Sequence, residues 1–362
     1  MDEPTALRTP GYPFFLAGCM IVSRTDLWLR FVNVSLSVVI CIEVYFITVR
    51  LFHQKAAIWA SLLCLLNPAF VLYSPVLASE HLFSVLVLGS LLLAWPVKGR
   101  GTFRICLSGL FLGLAILVRG AGLFYIPLLA TLAFWPPNSN GRRLYRLRFY
   151  RVAILLVITV CCLIPWYLRN ARVMGPGAGL STTAGLAFYY GHNPIKYGYF
   201  PLPQEIFGGL DEVQSQRLAF RLGWEHIKEN PFSIFESIFC GTIRLYEPST
   251  YGINWSTRTA IQQSDGTWAT ITRTLPGRLV LKGLSIVAYC LLLLGVLWSL
   301  INRQGWSRLS VLVVGAVILL NWVGLAVISL AIQRYHYFVE IFFCIICGTG
   351  LARFFTGRSK NV

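Results

Sequence analysis

The segment "SPVLASEHLFSVLVLGSLLLAW" (residues 74–95) decides the class of fold, because a polar turn runs directly into a long apolar stretch. Charged groups are costly to bury in a bilayer, so Glu80 and His81 at the start of that stretch need an explanation. Ser79 and Glu80 could cap the following helix, since serine is a favoured N-cap and a first-turn acid complements the helix dipole. Alternatively, Glu80 and His81 line a functional site at the membrane surface. The segment alone leaves both interpretations open.

The chain as a whole is apolar enough to indicate an integral membrane protein. Of its 362 residues, 56% are hydrophobic and only 12% are charged, a balance far from that of soluble domains. The formal charge of +17 does not indicate a nucleic-acid partner, because the Lys and Arg residues form short clusters between apolar runs. That pattern orients membrane helices. We therefore expect contacts with membrane lipids and none with nucleic acid.

Apolar runs of about 20 residues predict membrane spans. The apolar runs of this sequence therefore predict an all-α polytopic membrane protein with about nine transmembrane helices. These helices are expected near residues 28–49, 56–76, 81–97, 104–118, 120–136, 152–168, 280–301, 309–330 and 337–352. We expect three parts: an N-terminal transmembrane core (1–168), an extracytoplasmic segment of mixed structure (169–279) and C-terminal transmembrane helices (280–362). The mixed segment is therefore inserted before the last three spans.

The basic clusters predict the orientation, since loops rich in Lys and Arg stay in the cytoplasm. The clusters that share the cytoplasmic side are residues 50–55, 98–104, 142–151, 303–308 and 353–360. The outer side then receives the N-terminus, the turns at Glu80, Arg119 and Arg334, and the segment 169–279. Because no apolar run precedes the N-terminal segment, we expect a further span upstream of it. The expected location is a cell membrane, most simply the bacterial inner membrane.

Polar side chains collect at the outer ends of the predicted spans. One acid facing several cations would suit a lipid-linked phosphate and an acid–base step; the set is Glu80, His81, Arg119, Arg169, Asn170, His192, Asn193, Lys196, Arg334, Tyr335 and His336. Simpler roles stay open, because a lone Arg at a span end commonly reaches lipid headgroups and a lone His is commonly an interfacial polar residue. Two histidines on separate turns are weak evidence for a metal. We predict no metal ligand and no certain cofactor, and leave a divalent metal open.

Two acids, Glu43 and Glu340, lie inside predicted spans. An ion pair with a nearby arginine, such as Arg30 or Arg334, is the simpler interpretation of both. Most of the ten cysteines lie in apolar runs, where thiols usually pack as small hydrophobes. We therefore expect no disulfide framework.

Aromatic residues are concentrated in the outer segment, above all in "AFYYGHNPIKYGYF" (187–200). Flat apolar rings with polar tips suit sugar rings, which makes Tyr190 a candidate for binding substrate. The same residues also form ordinary interfacial belts. The aromatic content alone does not decide between the two.

Six segments occur in the order and spacing of the GT-C membrane glycosyltransferases, which the sequence resembles over nearly its whole length. They are "LRTPGYPFFLAG" (7–18), residues 74–95, "GLAILVRGAGLFYIPLLA" (113–130), "IPWYLRNARVMG" (164–175), "YYGHNP" (189–194) and "RYHYFVEIFFCIICGTGL" (334–351). The resembled subgroup includes the aminoarabinose transferase of lipid A, the Rgt-type lipopolysaccharide glycosyltransferases and the protein O-mannosyltransferases. Each motif alone is weak, whereas six in order are moderately specific.

The resemblance implies transfer of one sugar from a polyprenyl-phosphate carrier to a lipid, glycan or protein acceptor on the outer side. Glu80 matches an acid that lines the active cavity and is the predicted catalytic residue. Arg8, just before the turn that contains Tyr12, matches a basic residue that approaches the donor phosphate. Arg119 and Arg334 match basic positions that face the lipid phosphate. The full set of predicted substrate-binding residues is Arg8, Tyr12, His81, Arg119, Arg169, Tyr190, His192, Asn193, Lys196, Arg334 and Tyr335.

The sequence departs from the family in one respect. Members place their principal catalytic acid in the first outer loop, some way ahead of the turn that follows Arg8, and no residue here matches it. Asp2 and Glu3 lie too close to that turn. We therefore expect the chain as given to lack its main base.

Three other functions remain open from the residues alone. A secondary transporter commonly shows paired halves and broken helices at the midplane, and no internal repeat is visible in the sequence. An O-antigen ligase or polymerase also carries a large outer loop, but moves whole chains from a diphosphate carrier. A non-catalytic membrane partner is the third.

Overall fold

The computed structural model describes residues 4–95, 101–135, 142–193, 204–248, 250–256, 258–262, 268–272, 277–303, 306–328 and 332–357. Nearly all of these residues are helical. The α-helices are α1 (Gly11–Val22), α2 (Asp26–Leu51), α3 (Gln54–Leu66), α4 (Pro68–Tyr73), α5 (Glu80–Ala94), α6 (Gly101–Val118), α7 (Ile126–Phe134), α8 (Arg142–Val173), α9 (Thr183–Gly191), α10 (Gln204–Phe207), α11 (Glu212–Glu229), α12 (Ser233–Leu245), α13 (Tyr251–Ser256), α14 (Arg278–Ile301), α15 (Arg308–Trp322) and α16 (Tyr337–Gly357).

Shorter elements connect some of these helices. Two 3₁₀ turns cover Gly120–Tyr125 and Gln333–His336, and a π-helical turn, Val323–Val327, continues α15. Strands β1 (Arg258–Gln262) and β2 (Trp268–Thr272) form an antiparallel hairpin in which Arg258 is paired with Thr272.

The described helices confirm an all-α polytopic membrane fold, to which the hairpin is a small addition. Six are long and apolar enough to cross a membrane, and each coincides with a predicted span: Asp26–Leu51, Gly101–Val118, Arg146–Val173, Arg278–Ile301, Arg308–Val327 and Arg334–Phe355. Shorter apolar helices cover Gly11–Val22, Gln54–Leu66, Glu80–Ala94 and Gly120–Phe134. The last three of these occupy the remaining predicted spans.

The predicted span near residues 56–76 consists of two helices. α3 ends at Leu66, and α4 begins at Pro68. A proline disfavours helical backbone in the residue before it, and Asn67 is accordingly extended (φ −65°, ψ 116°). The side-chain oxygen of Asn67 then accepts a hydrogen bond from the N–H of Ala69 at 2.9 Å, which caps the second helix.

The chain forms two compact units, each built from segments that are distant in sequence. The first unit comprises Met1–Ala17, Leu82–Tyr246 and Gly315–Tyr335. The second comprises Gly18–His81, Glu247–Val314 and His336–Val362. The predicted three-part division, with boundaries after residues 168 and 279, stays a prediction.

In the first unit, α6 packs closely against α8 because two glycines of α6 face it. A Cβ on Gly109 would lie 2.7 Å from the Leu155 carbonyl oxygen, and one on Gly113 would lie 2.6 Å from Cys162. The hydroxyl of Thr159 donates to the carbonyl of Gly109 at 3.1 Å. Residues later in α6 thus contact residues later in α8, so the two helices run in the same direction.

In the second unit, α16 is the central helix and is buried over most of its length. Gly348 approaches the backbone of α3, where a Cβ would lie 2.6 Å from the nitrogen of Ala60. α16 also packs against α14. A helix that is apolar on every side is expected in such a position.

Candidate active site

Two arginines of the first unit share one aromatic ring. The guanidinium of Arg119 lies 5.1 Å from the centroid of the Tyr335 ring, and that of Arg334 lies 5.2 Å from it. A guanidinium within about 6 Å of a ring is attracted by the negative face of that ring. The structure therefore brings together three predicted substrate-binding residues that are far apart in sequence.

Local backbone structure places these three residues. Arg119 is extended (φ −150°, ψ 126°), so α6 ends before it, while its N–H still donates to the Ala115 carbonyl at 2.8 Å. Arg334 and Tyr335 lie in the 3₁₀ turn Gln333–His336. Both arginines are half-buried. The arrangement concentrates positive charge at the end of α6.

The segment that carries Arg8 is fixed at the same end of α6. The hydroxyl of Thr9 donates to the Val118 carbonyl at 3.0 Å, and Val118 directly precedes Arg119. Gly11 packs so closely on this end that a Cβ there would lie 2.7 Å from the Val118 nitrogen. The side chain of Arg8 is exposed, and Tyr12 is half-buried in the first turn of α1.

Glu212, which the sequence analysis did not identify, holds the N-terminal segment. Its carboxylate accepts hydrogen bonds from the N–H of Ala6 at 3.0 Å and from the hydroxyls of Thr5 and Thr182. Arg169 adds a hydrogen bond to the Thr5 carbonyl at 3.1 Å. From the sequence alone, an acid in the first turn of α11 indicates only the start of a helix. The sequence therefore gave no sign that Glu212 holds the N-terminal segment.

The π-helical turn Val323–Val327 connects several parts of the first unit. Nε2 of His192 donates to the Val327 carbonyl at 2.9 Å. A Cβ on Gly324 would clash with the ring of Phe124, which lies in the turn after Arg119. Such π turns are common at functional sites. The turn Val323–Val327 contacts the outer segment through His192 and the turn after Arg119 through Phe124.

Three other predicted residues of the outer segment, Tyr190, His192 and Asn193, lie at the end of α9. His192 is buried against the ring of Phe188, at 4.8 Å between centroids. Burial lowers the pKa of His192, the hydrogen bond to Val327 opposes that shift, and the charge of His226 lowers the pKa further. The side-chain amide of Asn193 donates to the carbonyl of buried Tyr190 at 3.1 Å. Lys196 lies outside the described residues. Substrate binding by all four residues stays a prediction.

The predicted acid Glu80 and its neighbour His81 belong to the second unit, and both are buried. The side-chain amide of Asn33 donates to the carbonyls of Ser74 and Val76, at 2.9 and 2.7 Å, and lies 3.3 Å from Nδ1 of His81. This arrangement fixes the polar turn that precedes α5.

Aromatic rings enclose His81 on two sides. The Tyr73 ring is stacked on it at 5.4 Å, and the Tyr337 ring is tilted against it at 5.1 Å. Among the described residues, Nε2 of His81 has no hydrogen-bond partner. His81 is thus an interior residue of its unit, rather than a side chain exposed at a membrane surface.

The predicted arginine pairs of Glu340 and Glu43 are wrong. Glu340 accepts a hydrogen bond from the side chain of Asn67 at 2.7 Å and lies 3.3 Å from Nε2 of His336, so a histidine and an amide replace the expected arginine. Arg30 is bound to Asp26, one helical turn before it, at 2.6 Å. Within the described ranges, Glu43 makes no ion pair.

All ten cysteines are free thiols. Within the part of the chain that the structure describes, no three His, Cys, Asp or Glu side chains are grouped closely enough to hold a metal ion.

Comparisons with known proteins agree with this architecture. Residues 3–166 match the family model of dolichyl-phosphate-mannose-protein mannosyltransferases. A comparison with curated proteins gave no match. The fold is similar to that of the oligosaccharyltransferase from Archaeoglobus fulgidus, solved with a tethered acceptor peptide that contains the NVT sequon, at 14% sequence identity and a TM-score of 0.52.

The structural match covers 97% of this chain and 42% of the archaeal chain, so this chain spans less than half of that protein. At this level of identity the likeness shows the fold alone. The family match covers the N-terminal transmembrane part of the chain, residues 3–166. The N-terminal part of the chain is therefore similar to these mannosyltransferases, and the fold of the chain is similar to that of the archaeal enzyme.

Proposed function

We propose that the chain uses a polyprenyl-phosphate-linked sugar as donor and transfers the sugar to an acceptor on the extracytoplasmic side of the membrane. The observation that carries this proposal is the pair of guanidiniums on the Tyr335 ring. Such a pair suits a ligand that carries a phosphate, because charge-assisted and bidentate hydrogen bonds to phosphate are among the strongest that Arg makes.

The chemistry explains why cations belong at this position. As the bond between the sugar and the phosphate breaks, negative charge grows on the leaving phosphate. Arg119 and Arg334 would stabilise that growing charge more strongly in the transition state than in the ground state, which is the condition for catalysis. Arg8 is held to the same end of α6 through Thr9 and would add a third positive charge.

The acid–base step is assigned to Glu80 on the resemblance to the family. A carboxylate can take the proton of the acceptor hydroxyl or hold that hydroxyl in position. Glu80 is buried in the second unit, next to a turn that three side-chain contacts of Asn33 fix. A fixed support of this kind is what a catalytic group requires. The acceptor is a lipid, a glycan or a protein, and the bacterial inner membrane is the proposed location.

The experiment that tests the proposal is donor binding by the purified chain in detergent. We expect a polyprenyl monophosphate that carries a single sugar to bind more tightly than the corresponding uncharged polyprenol by about tenfold or more, because each hydrogen bond to a charged group contributes about 1.5–3 kcal/mol. Equal binding of the two lipids would contradict the proposal. Tighter binding of a diphosphate-linked oligosaccharide would instead support a ligase or polymerase.

A further inference from the structure

A second basic cluster lies at the other end of α6, which the charge pattern assigns to the cytoplasm. Arg104 is in the first turn of α6, and Arg151 is on α8. α6 and α8 run in the same direction, and Gly109 of α6 faces Leu155 of α8. Arg104 and Arg151 each precede these residues by about one helical turn, so the two arginines lie at the same level. The two charges are close enough to repel each other.

Both guanidiniums are half-buried and incompletely paired. Arg104 donates one hydrogen bond, from Nη2 to the Leu92 carbonyl at 2.6 Å. The Nε atoms of Arg104 and Arg151 are buried, and neither has an acceptor among the described residues. Leaving a buried donor of a charged group without an acceptor destabilises the folded chain. In the described ranges, neither guanidinium is paired with a carboxylate.

The sequence around the pair supplies no such partner. No Asp or Glu occurs between residues 81 and 204, a stretch that includes all of α6, α7 and α8 and the loops between them. Phe103 and Phe149, which are near the two arginines in sequence, are exposed. An anion with an apolar body would satisfy both the charge and the exposed rings.

We propose that Arg104 and Arg151 form a binding site for the phosphate group of an anionic phospholipid. The site lies at the opposite end of α6 from Arg119 and is independent of the proposed function. Each guanidinium offers an Nε–H and an Nη–H in one plane, a geometry that matches two oxygens of a phosphodiester. The apolar surface beside the pair accommodates the acyl chains. The same chemistry would also accept free inorganic phosphate, and the two sources can be separated by experiment.

The test is a titration of the purified chain in non-ionic detergent, followed by native mass spectrometry and by the midpoint of thermal unfolding. The ligands are phosphatidylglycerol, phosphatidylcholine and inorganic phosphate. We expect phosphatidylglycerol to bind and to raise the midpoint, because a ligand that binds the folded state stabilises it. The double variant Arg104→Gln/Arg151→Gln should bind phosphatidylglycerol more weakly than the wild type by about tenfold or more.

Control variants keep the outcome interpretable. Arg308→Gln removes an exposed basic residue at the start of α15 and should leave binding unchanged. If the double variant does not fold, Arg151→Lys retains the charge but loses the planar fork, and should still weaken binding. Inorganic phosphate could raise the unfolding midpoint of the wild type as much as phosphatidylglycerol does, and have no effect on the double variant. That result would identify a free anion as the ligand of this site. Equal binding of phosphatidylglycerol to the wild type and to the folded variants would overturn the proposal.

Discussion

Arg334 is the residue whose removal should most directly weaken donor binding. Its guanidinium shares the Tyr335 ring with that of Arg119, so both guanidiniums would contact the donor phosphate. Arg334→Ala should reduce affinity for a polyprenyl-phosphate sugar by about tenfold to a hundredfold, because hydrogen bonds to charged groups contribute about 1.5–3 kcal/mol each. Titration of the purified chain in detergent with the donor measures this change.

Arg172 provides the matched control for that variant. It is an exposed arginine near the end of α8. If Arg172→Ala lowers donor affinity as much as Arg334→Ala does, then general surface charge, and not the cation pair, is responsible.

His192 should make stability depend on pH over a defined range. Its folded-state pKa is lowered, chiefly by burial, from the ordinary value of about 6.5. Above that value the imidazole is neutral in both states, and its contribution to stability is complete. As the pH falls below about 6.5 the unfolded chain takes up a proton more readily than the folded chain, so stability decreases toward the lowered pKa.

The variant His192→Gln separates this effect from other titrations. The glutamine amide can still donate to the Val327 carbonyl, but it does not titrate. Between pH 8 and pH 5.5, the unfolding midpoint of the wild type should fall further than that of the variant. Parallel profiles would show that His192 is not the group responsible.

At the scale of elements, the π-helical turn packs against the turn that follows Arg119. Gly324 lies directly against the ring of Phe124, and Phe124 belongs to the turn that follows Arg119. Gly324→Ala should force these two segments apart and lower the affinity for the donor several-fold. The measurement is donor binding by the purified chain in detergent, together with the midpoint of thermal unfolding.

A rescue variant distinguishes positioning from general destabilisation. Gly324→Ala combined with Phe124→Leu removes the clash and should recover most of the donor affinity. Gly315→Ala serves as the control, because Gly315 is in the helix that leads into the π turn and has open space around it. A loss of affinity that is equal in all three variants would contradict a specific role for this contact.

The sequence predicted most elements, for identifiable reasons. Long apolar runs are sufficient to locate membrane helices, and all six of the long apolar helices coincide with predicted spans. The break at Asn67 was also present in the sequence, since a proline follows it, but the apolar run obscured it. The π turn could not be predicted, because the register that creates it depends on Phe124, Trp322 and Thr242, which meet only in the folded chain.

At the scale of the whole molecule, the sequence identified site residues but not their supports. Arg119 and Arg334 were recognisable because charges are rare at such positions. Two side chains that fix the backbone near predicted site residues gave no comparable signal: Glu212, which holds the segment before Arg8, and Asn33, which holds the turn before Glu80. Both form contacts with segments distant in sequence, to Ala6 and to Ser74 and Val76. Long-range polar contacts of this kind have no periodicity that a single sequence reveals.

The predicted orientation can be checked with one fusion. The basic clusters place the C-terminus in the cytoplasm. A reporter that is active only in the cytoplasm, fused after Lys360, should therefore be active, and a reporter that is active only outside should not. The opposite pair of results would invert the assignment of Arg119 and Arg334 to the outer side.

The most direct test of the central claim is photo-cross-linking with a polyprenyl phosphate that carries its reactive group next to the phosphate. If the cations at the end of α6 bind the donor phosphate, peptide mass spectrometry should find cross-links in residues 5–12, 119–125 and 334–336. These cross-links should diminish in Arg334→Ala and persist in Arg172→Ala. Cross-links confined to the other end of α6, or unchanged in Arg334→Ala, would contradict the account.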